Sequence, residues 1–112
     1  MVKKLTKENQ AILPVAIPKF SNIKSMSTYA NYSFIITNEN QVYGFGDNKK
    51  GRIGLGAQKA QDNILAPELV ESLKNIHKIN GGTFHSLALD NSGVAFSAGN
   101  KTCGQLGRED GD

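Results

Sequence analysis

The nine residues from Gly46 to Gly54 are GDNKKGRIG, and their spacing is close to that of a phosphate-binding loop. The signature of such a loop, G-x-x-x-x-G-K-[ST], requires a lysine and then a hydroxyl after its second glycine. Here Arg52 and Ile53 follow Gly51, so neither requirement is met. The stretch is therefore either a divergent nucleotide loop or a tight turn, and the rest of the chain decides between these interpretations.

A second stretch, GNKTCGQLG, keeps the three glycines and the final apolar residue of the first. The two stretches begin at residues 46 and 99, and the same offset of 53 aligns the chain with itself from Pro14 onward without a gap. A repeat of this length is typical of proteins built from successive copies of one structural unit. Identical pairs are Pro14 and Pro67, Asn22 and Asn75, Ile23 and Ile76, Ser33 and Ser86, Asn38 and Asn91, and the glycine pairs 46/99, 51/104 and 54/107.

The repeat favours the turn over the nucleotide loop. Gln105 stands in the second copy where Arg52 stands in the first, so the two copies do not share an anion-binding cation. What they share is glycine, which adopts positive φ angles and allows another chain segment to pass close by. We therefore interpret both stretches as tight turns packed against a neighbouring segment.

Each copy contains a predicted β-hairpin. In the second copy, residues 85–89 alternate in size and polarity, 90–93 form a turn-type sequence, and 94–98 tolerate β structure. In the first copy, Ser33–Thr37 and Val42–Phe45 flank a turn at 38–40. Residues 14–26 and 67–79 could add one or two short strands each, although Leu69, Val70 and Leu73 also fit a single helical turn. Residues 55–66 are predicted to be a polar surface loop.

The bulk composition fits one small soluble domain. The chain has 112 residues, of which 38% are hydrophobic and 21% are charged. Its net charge of +3 comes from scattered basic residues, which we interpret as a solvated surface and not as a nucleic-acid site. Cys103 is the only cysteine, so an intramolecular disulfide and a Cys-x-x-Cys metal site are excluded. With no long apolar run, we expect an intracellular protein, cytoplasmic or nuclear.

The second copy resembles the repeat of the regulator of chromosome condensation superfamily, whose pattern is roughly I-x-x-I-x-x-G-x-x-H-[ST]-x-A-L-x-x-x-G-x-V-[YF]-x-W-G-x-N-x-x-G-Q-L-G. The matching residues are Ile76, Ile79, Gly82, His85, Ser86, Ala88, Leu89, Gly93, Phe96, Gly99, Gly104, Gln105, Leu106 and Gly107. The first copy is similar through Ile23, Met26, Ser33, Ile36, Val42, Tyr43, Phe45, Gly46, Asn48, Gly51, Ile53 and Gly54. The family's tryptophan is replaced by Phe45 and Ala98, and Thr28 and Tyr29 stand where the second copy has Gly81 and Gly82.

The resemblance implies an all-β fold made of two adjacent blades, each a four-stranded antiparallel sheet, of a seven-bladed β-propeller. We assign residues 1–13 to an N-terminal extension, 14–66 to the first repeat and 67–112 to the second, which is incomplete at its C-terminal loop. Repeat folds bury their apolar faces against neighbours and generally need three or more units. We therefore expect a fragment of a larger propeller, a truncated reading frame, or a chain completed by partners or self-association.

The candidate site residues form a structural repeat signature and not a catalytic set. They are Gly46, Gly51, Gly54, Gly82, His85, Ser86, Gly93, Gly99, Gly104, Gln105, Leu106 and Gly107. His85 corresponds to Tyr32, and an exchange of imidazole for phenol suits a packed, hydrogen-bonded position more than a catalyst or ligand. No carboxylate pair and no group of nucleophile, base and orienting residue recurs, so we expect no catalytic residue, no cofactor and no metal.

Two functions remain open at the sequence level. The first is a non-catalytic protein-interaction module or scaffold, because rigid propellers present loops for recognition. The second, implied by the resemblance, is part of a guanine-nucleotide exchange factor for a small GTPase of the Ran type, with chromatin association. Protein partners are expected in both cases, and we expect neither a membrane nor direct contact with nucleic acid. An enzyme with its own active site has no support in the sequence.

Overall fold

The computed structural model describes residues 22–56, 59, 62–100 and 105–107, together with residues 13, 14, 16, 17 and 20. This part of the chain contains seven β-strands and a short 3-10 turn at Lys49–Gly51. The predicted N-terminal extension, the cysteine at position 103 and the glycine at position 104 lie outside the described residues, apart from Leu13. The division of the chain at residues 13/14 and 66/67 stays a prediction.

The first sheet has four antiparallel strands in chain order: β1 (Ile23–Tyr29), β2 (Tyr32–Thr37), β3 (Val42–Asp47) and β4 (Asn63–Leu69). β-Branched and aromatic residues dominate β2, where they favour extended backbone. A tight hairpin connects β2 to β3: the Thr37 amide donates to the Gln41 carbonyl at 2.9 Å, and Asn40 takes a φ of 64°. The hairpin predicted for the first copy is confirmed.

The second sheet has three described strands in the order β5 (Ile76–Gly81), β6 (His85–Asp90) and β7 (Ala95–Gly99). The turn between β6 and β7 is closed by Asp90, whose Oδ1 accepts hydrogen bonds from the amides of Ser92 and Val94, each at 2.9 Å. The predicted second hairpin is therefore confirmed. Strands β2 and β6 begin and end 53 residues apart, as the repeat requires.

An irregularity in strand pairing repeats as well. The register shifts between Ile23 and Ser25 in β1 and between Ile76 and Lys78 in β5, which are equivalent positions. A bulge bends the strand and strengthens its twist. The two copies therefore share the curvature of their first strand as well as their hairpin.

The predicted polar loop at residues 55–66 is partly wrong, because Asn63–Ala66 belongs to β4. Ile64 pairs with Gly46 and is only 7% exposed, and further pairs at Asn63, Glu68 and Leu69 join this largely apolar strand to β3. The helical alternative at Leu69, Val70 and Leu73 is also wrong. β4 ends at Leu69, and a turn follows in which the Leu73 amide donates to the Val70 carbonyl at 3.1 Å.

The core lies between the two sheets. Each sheet has a forward face, defined by Phe34 and Ile36 in the first sheet and by Leu87 and Leu89 in the second, which occupy equivalent positions. The opposite side is the rear face. The forward face of the first sheet packs against the rear face of the second, and strands β1 and β5 contact each other across this boundary. The buried cluster contains Tyr32, Phe34, Ile36, Val42, Ile53, Ile64, Val70, Ile76, Ile79 and Ala88.

Candidate functional site: the joint between the sheets

The quoted stretch at residues 46–54 begins with the last two residues of β3 and then forms a compact turn at one end of the joint. Asn48 is fully buried, and its side chain holds two segments together. Its Nδ2 donates to the Lys59 carbonyl at 2.6 Å, and its Oδ1 accepts from the Ile53 amide at 2.9 Å. These bonds satisfy polar groups that would otherwise be costly to bury. They also fix the turn from Asn48 to Ile53, which contains Arg52.

Arg52 is the central polar residue of the joint. It is only 2% exposed, so the expectation that the basic residues of this stretch are solvated is wrong for Arg52. Nε donates to the Lys49 carbonyl at 3.0 Å and Nη1 to the Thr83 carbonyl of the second sheet at 2.6 Å. Nη2 lies 3.6 Å from Oδ2 of Asp47. The planar guanidinium suits this role because its donors point in fixed, divergent directions.

Two aromatic rings also contact the guanidinium. Its central carbon lies 5.3 Å from the centre of the Tyr32 ring and 5.1 Å from that of Phe84, distances typical of cation–π contacts. Arg52 thus joins the first sheet to the loop between β5 and β6. Because the cation is held inside the protein, the turn interpretation of residues 46–54 accounts for it, and the nucleotide-loop interpretation does not.

Two tyrosines of the first sheet bond to the backbone of the second. The Tyr29 hydroxyl donates to the Ile79 carbonyl at 3.0 Å. The Tyr32 hydroxyl lies 2.8 Å from the Gly82 carbonyl and 2.6 Å from the His85 carbonyl, which share its single proton. Burial raises the pKa of Tyr32 to about 12, although the nearby charge of Arg52 acts in the opposite direction. The phenol is therefore a donor throughout the physiological range.

Small residues on the second sheet make room for these tyrosines. A Cβ atom on Gly81 would lie 2.4 Å from the Tyr32 hydroxyl and 2.6 Å from a ring carbon of Tyr29. Ser86, which corresponds to Ser33, donates from Oγ to the Arg52 carbonyl at 2.7 Å and is buried. The half-buried ring of His85 lies beside Gly82, where an added Cβ would be 2.6 Å from the ring.

The glycines of the predicted signature occupy equivalent backbone positions in the two copies. Gly46 and Gly99 have φ angles of 107° and 122°, and a Cβ on either would lie 2.5 Å or less from a backbone oxygen, that of Asn31 or Phe84. Only glycine fits such a close approach. Positive φ angles also occur at Gly51, Gly54, Gly93 and Gly107. Gln105 is half-buried and Leu106 is 5% exposed, while the signature's glycine at position 104 lies outside the described residues. The role of the signature as a whole stays a prediction.

Sequence reasoning missed three contributors to the joint: Arg52, Tyr29 and Phe84. None of the three is repeated at its equivalent position, where Gln105, Gly82 and Asn31 stand. A search for residues shared between copies therefore passes over them. The signal that could have found Tyr29 and Phe84 is the reverse one: a large residue in one copy where the other copy has a smaller residue.

The joint is held together by packing and hydrogen bonds. In the part of the chain that the structure describes, no three His, Cys, Asp or Glu residues come together as metal ligands could. Across the same residues, no helix is long and apolar enough to span a membrane. Beside the joint, a groove of about 1120 Å³ runs along β6 and β7, with Leu73, Ala88 and Phe96 among its lining residues.

These features define a class: repeated antiparallel sheets stacked face to face, with one sheet's tyrosines and arginine bonded to the next. Comparison with known families identifies the repeat. Residues 39–89 and residues 23–52 each match the regulator of chromosome condensation (RCC1) repeat. The chain belongs to the RCC1 repeat family, and its all-β architecture of stacked sheets, as predicted, is that of RCC1 propeller blades.

Several larger proteins contain a similar segment. A bifunctional serine/threonine-protein kinase/NEDD4-like E3 ubiquitin-protein ligase of Dictyostelium discoideum is 39% identical over 76% of this chain, which covers 5% of that protein. Protein RCC2 of Mus musculus is 38% identical over 70% of this chain, which covers 15% of it. The crystal structure of Prp20p from Saccharomyces cerevisiae is 20% identical with a TM-score of 0.71, covering 98% of this chain and 29% of Prp20p. The chain thus spans a small part of each relative.

Proposed function

We propose that the chain is a non-catalytic protein-interaction module built of RCC1-type repeats and forming part of a larger propeller, inside the cell in the cytoplasm or nucleus. The observation that supports this most directly is Phe84. Its side chain is 43% exposed although it lies in the loop between β5 and β6, beside the buried joint. Exposed aromatic residues held on rigid loops are typical anchors of protein interfaces.

The loop that presents Phe84 is fixed at several points. The ring rests on the Arg52 guanidinium, the Thr83 carbonyl accepts from Arg52, and the Phe84 carbonyl accepts from the Asn100 amide at 2.8 Å. Because the loop is held in advance, little conformational entropy is lost when a partner binds. Lys49, whose carbonyl accepts from Arg52, and the next residue, Lys50, are exposed, which favours a partner with acidic groups around an apolar pocket.

The second candidate is part of a guanine-nucleotide exchange factor. One observation supports it: the Prp20p structure was described together with its binding properties to Gsp1p and histones. We rank this candidate lower because the chain covers only 29% of Prp20p, and because relatives that share the repeat include a ubiquitin ligase. A shared repeat does not fix an activity.

Gsp1p and histones are the probes that separate the candidates. We expect the full chain to bind at least one of them with a dissociation constant in the micromolar range, and to leave nucleotide release from Gsp1p at its intrinsic rate. Phe84→Ala should weaken the binding about tenfold or more, while Leu65→Ala, at a 93% exposed position on β4, should not change it. Accelerated nucleotide release would replace the proposal by the exchange-factor candidate. If Phe84→Ala leaves the binding unchanged, Phe84 is not the anchor of the interface.

A further inference from the structure

The second sheet contains the one asparagine of the chain that is followed by glycine, in the pair Asn80-Gly81. The joint explains the glycine, because a Cβ on residue 81 would lie 2.4 Å from the Tyr32 hydroxyl and 2.6 Å from a ring carbon of Tyr29. The equivalent pair in the first copy is Ser27-Thr28, which contains neither residue. Contact between the two sheets therefore requires glycine after the asparagine, and this pair of residues has a chemistry of its own.

Asparagine followed by glycine is prone to deamidation. The backbone nitrogen of the glycine attacks the side-chain carbonyl carbon of the asparagine and forms a C–N bond. The side-chain nitrogen leaves as ammonia, taking the proton of the glycine nitrogen, and a five-membered succinimide ring remains. Water then opens the ring at either of its carbonyls, which gives aspartate or isoaspartate. Glycine favours the attack because it has no side chain to crowd the nitrogen.

The strand pairing of β5 leaves the attacking nitrogen outside the hydrogen-bond ladder. In the described sheet β5 is an edge strand that pairs with β6. The Gly82 amide donates to the His85 carbonyl at 2.7 Å, and bonded pairs alternate with non-bonded pairs along antiparallel strands. Gly81, which is opposite Ser86, therefore directs its amide away from β6. Asn80 itself is exposed to water.

The reaction also needs a rotation of the backbone at Asn80, because an extended strand holds the next nitrogen away from the side chain. The position of the pair allows this rotation. Asn80 and Gly81 are the last two residues of β5. The end of an edge strand opens locally at a lower free energy than the strands of a core, so the rotation does not require global unfolding.

We propose that Asn80 is a deamidation site in the folded protein and that the isoaspartate formed there loosens the joint. Isoaspartate carries the main chain through the former side chain, so the backbone gains a carbon atom at this point. The carbonyl before the pair belongs to Ile79 and accepts from the Tyr29 hydroxyl. The carbonyl after the pair belongs to Gly82 and accepts from the Tyr32 hydroxyl. The longer backbone moves these carbonyls apart, so the two bonds no longer form together.

The first measurement is the rate of the reaction at each asparagine. The full chain is incubated in mildly alkaline buffer, and peptide mapping by mass spectrometry follows the replacement of NH2 by OH. Asn80 should react about tenfold faster or more than Asn91, which is exposed and followed by serine. The rate at Asn80 in the native chain should lie within about tenfold of the rate in urea. A reaction at Asn80 that occurs only in urea overturns the proposal, as does a faster reaction at Asn91.

The second measurement separates the longer backbone from the new charge. Asn80→Asp places the charge on an unaltered backbone at an exposed position, so its urea midpoint should stay near that of the wild type. The isoaspartate form, isolated by chromatography, should unfold at a lower urea concentration. In a Tyr32→Phe background this shift should be smaller, because the bond to the Gly82 carbonyl is already gone. Equal midpoints for the isoaspartate form and Asn80→Asp would overturn the proposed loosening of the joint.

Asn80→Ser is the unreactive control for both measurements. It matches the first copy, where Ser27 stands at this position, and it cannot form the succinimide. Its mass at this site and its urea midpoint should stay constant during the incubation. A midpoint that falls as it does in the wild type would assign the loss to another site and overturn the proposal. Neither measurement involves Phe84, so this proposal and the proposed function fail separately.

Discussion

The two sheets are built to the same pattern but differ in what covers them. Phe34 and Leu87 occupy the same position in successive copies, yet one is fully buried and the other is 46% exposed. Their strands have the same length and the same pairing. Local sequence therefore specifies the strand, while burial depends on the neighbouring unit. This is the expected behaviour of repeat folds, in which stability comes from the contacts between units as well as from the units themselves.

The polar residues at the two forward faces differ more than the glycines do. The first sheet presents Tyr32 and Arg52, which bond to carbonyl groups of the second sheet, and the second sheet has His85 and Gln105 at these positions. The glycines are kept because each copy needs the same backbone shape. The joint residues differ where the surroundings differ: the second sheet covers the forward face of the first, whereas Leu87 and Leu89 on the forward face of the second sheet are 46% and 37% exposed.

The largest expected effect is the loss of Phe34 compared with the loss of Leu87. Phe34→Ala should lower the free energy of unfolding by about 3–5 kcal/mol, because it leaves a cavity in a fully buried site. Leu87→Ala should cost less than about 1 kcal/mol, because much of its surface is already in water. Urea denaturation of the two variants measures both. Equal costs would mean that the two forward faces are equally covered, contrary to the structure.

The next effect concerns the arginine of the joint. Arg52→Ala should lower the free energy of unfolding by about 3 kcal/mol, because the carbonyls of Lys49 and Thr83 lose their donor inside the protein. Lys50→Ala removes an exposed positive charge from the neighbouring turn and should change it by less than about 0.5 kcal/mol. Denaturation of the two variants side by side measures the difference.

Arg52→Lys sharpens the same test. A lysine keeps the charge but cannot donate in two fixed directions, so it should recover only part of the lost stability. Full recovery would show that charge alone is needed at this position. The cost would then be assigned to the contact with Asp47 and not to the bonds across the joint.

Much of the fold could be predicted from the sequence because the repeat is regular. The offset of 53 residues located both hairpins, since turn residues and alternating side chains recur at the same places. The glycine spacing correctly indicated a turn within residues 46–54. The backbone approaches so closely at Gly46 and Gly99 that both positions require glycine, and the sequence shows this directly. Family resemblance then indicated stacked sheets.

The remaining features depend on contacts between residues that are far apart in the chain. β4 was missed because the polar residues that precede it resemble a loop, and its pairing with β3, including that of Ile64 with Gly46, is what makes it a strand. The burial of Arg52 was missed because its partners, Thr83 and Phe84, are far along the chain and lie in the other sheet. Long-range pairing overrides local propensity at such positions.

The smallest effect is a loss of stability in alkali that depends on Tyr32. In the unfolded chain its phenol has an ordinary pKa of 10.0, and burial raises the pKa to about 12 in the folded protein. Below the lower value both states hold the proton, so the buried neutral phenol contributes its full stability. Between the two values the unfolded state releases the proton and the folded state keeps it, so stability falls as the pH rises. The loss should approach about 2.7 kcal/mol, the value that corresponds to a difference of two pKa units.

Tyr32→Phe is the matched control for this effect. It starts less stable, because the hydrogen bonds to the carbonyls of Gly82 and His85 are gone, and it should lack this component of the alkaline decline. Urea denaturation at successive pH values measures both proteins. Parallel curves for the two would show that the phenol of Tyr32 titrates normally and that the joint does not shield it from water.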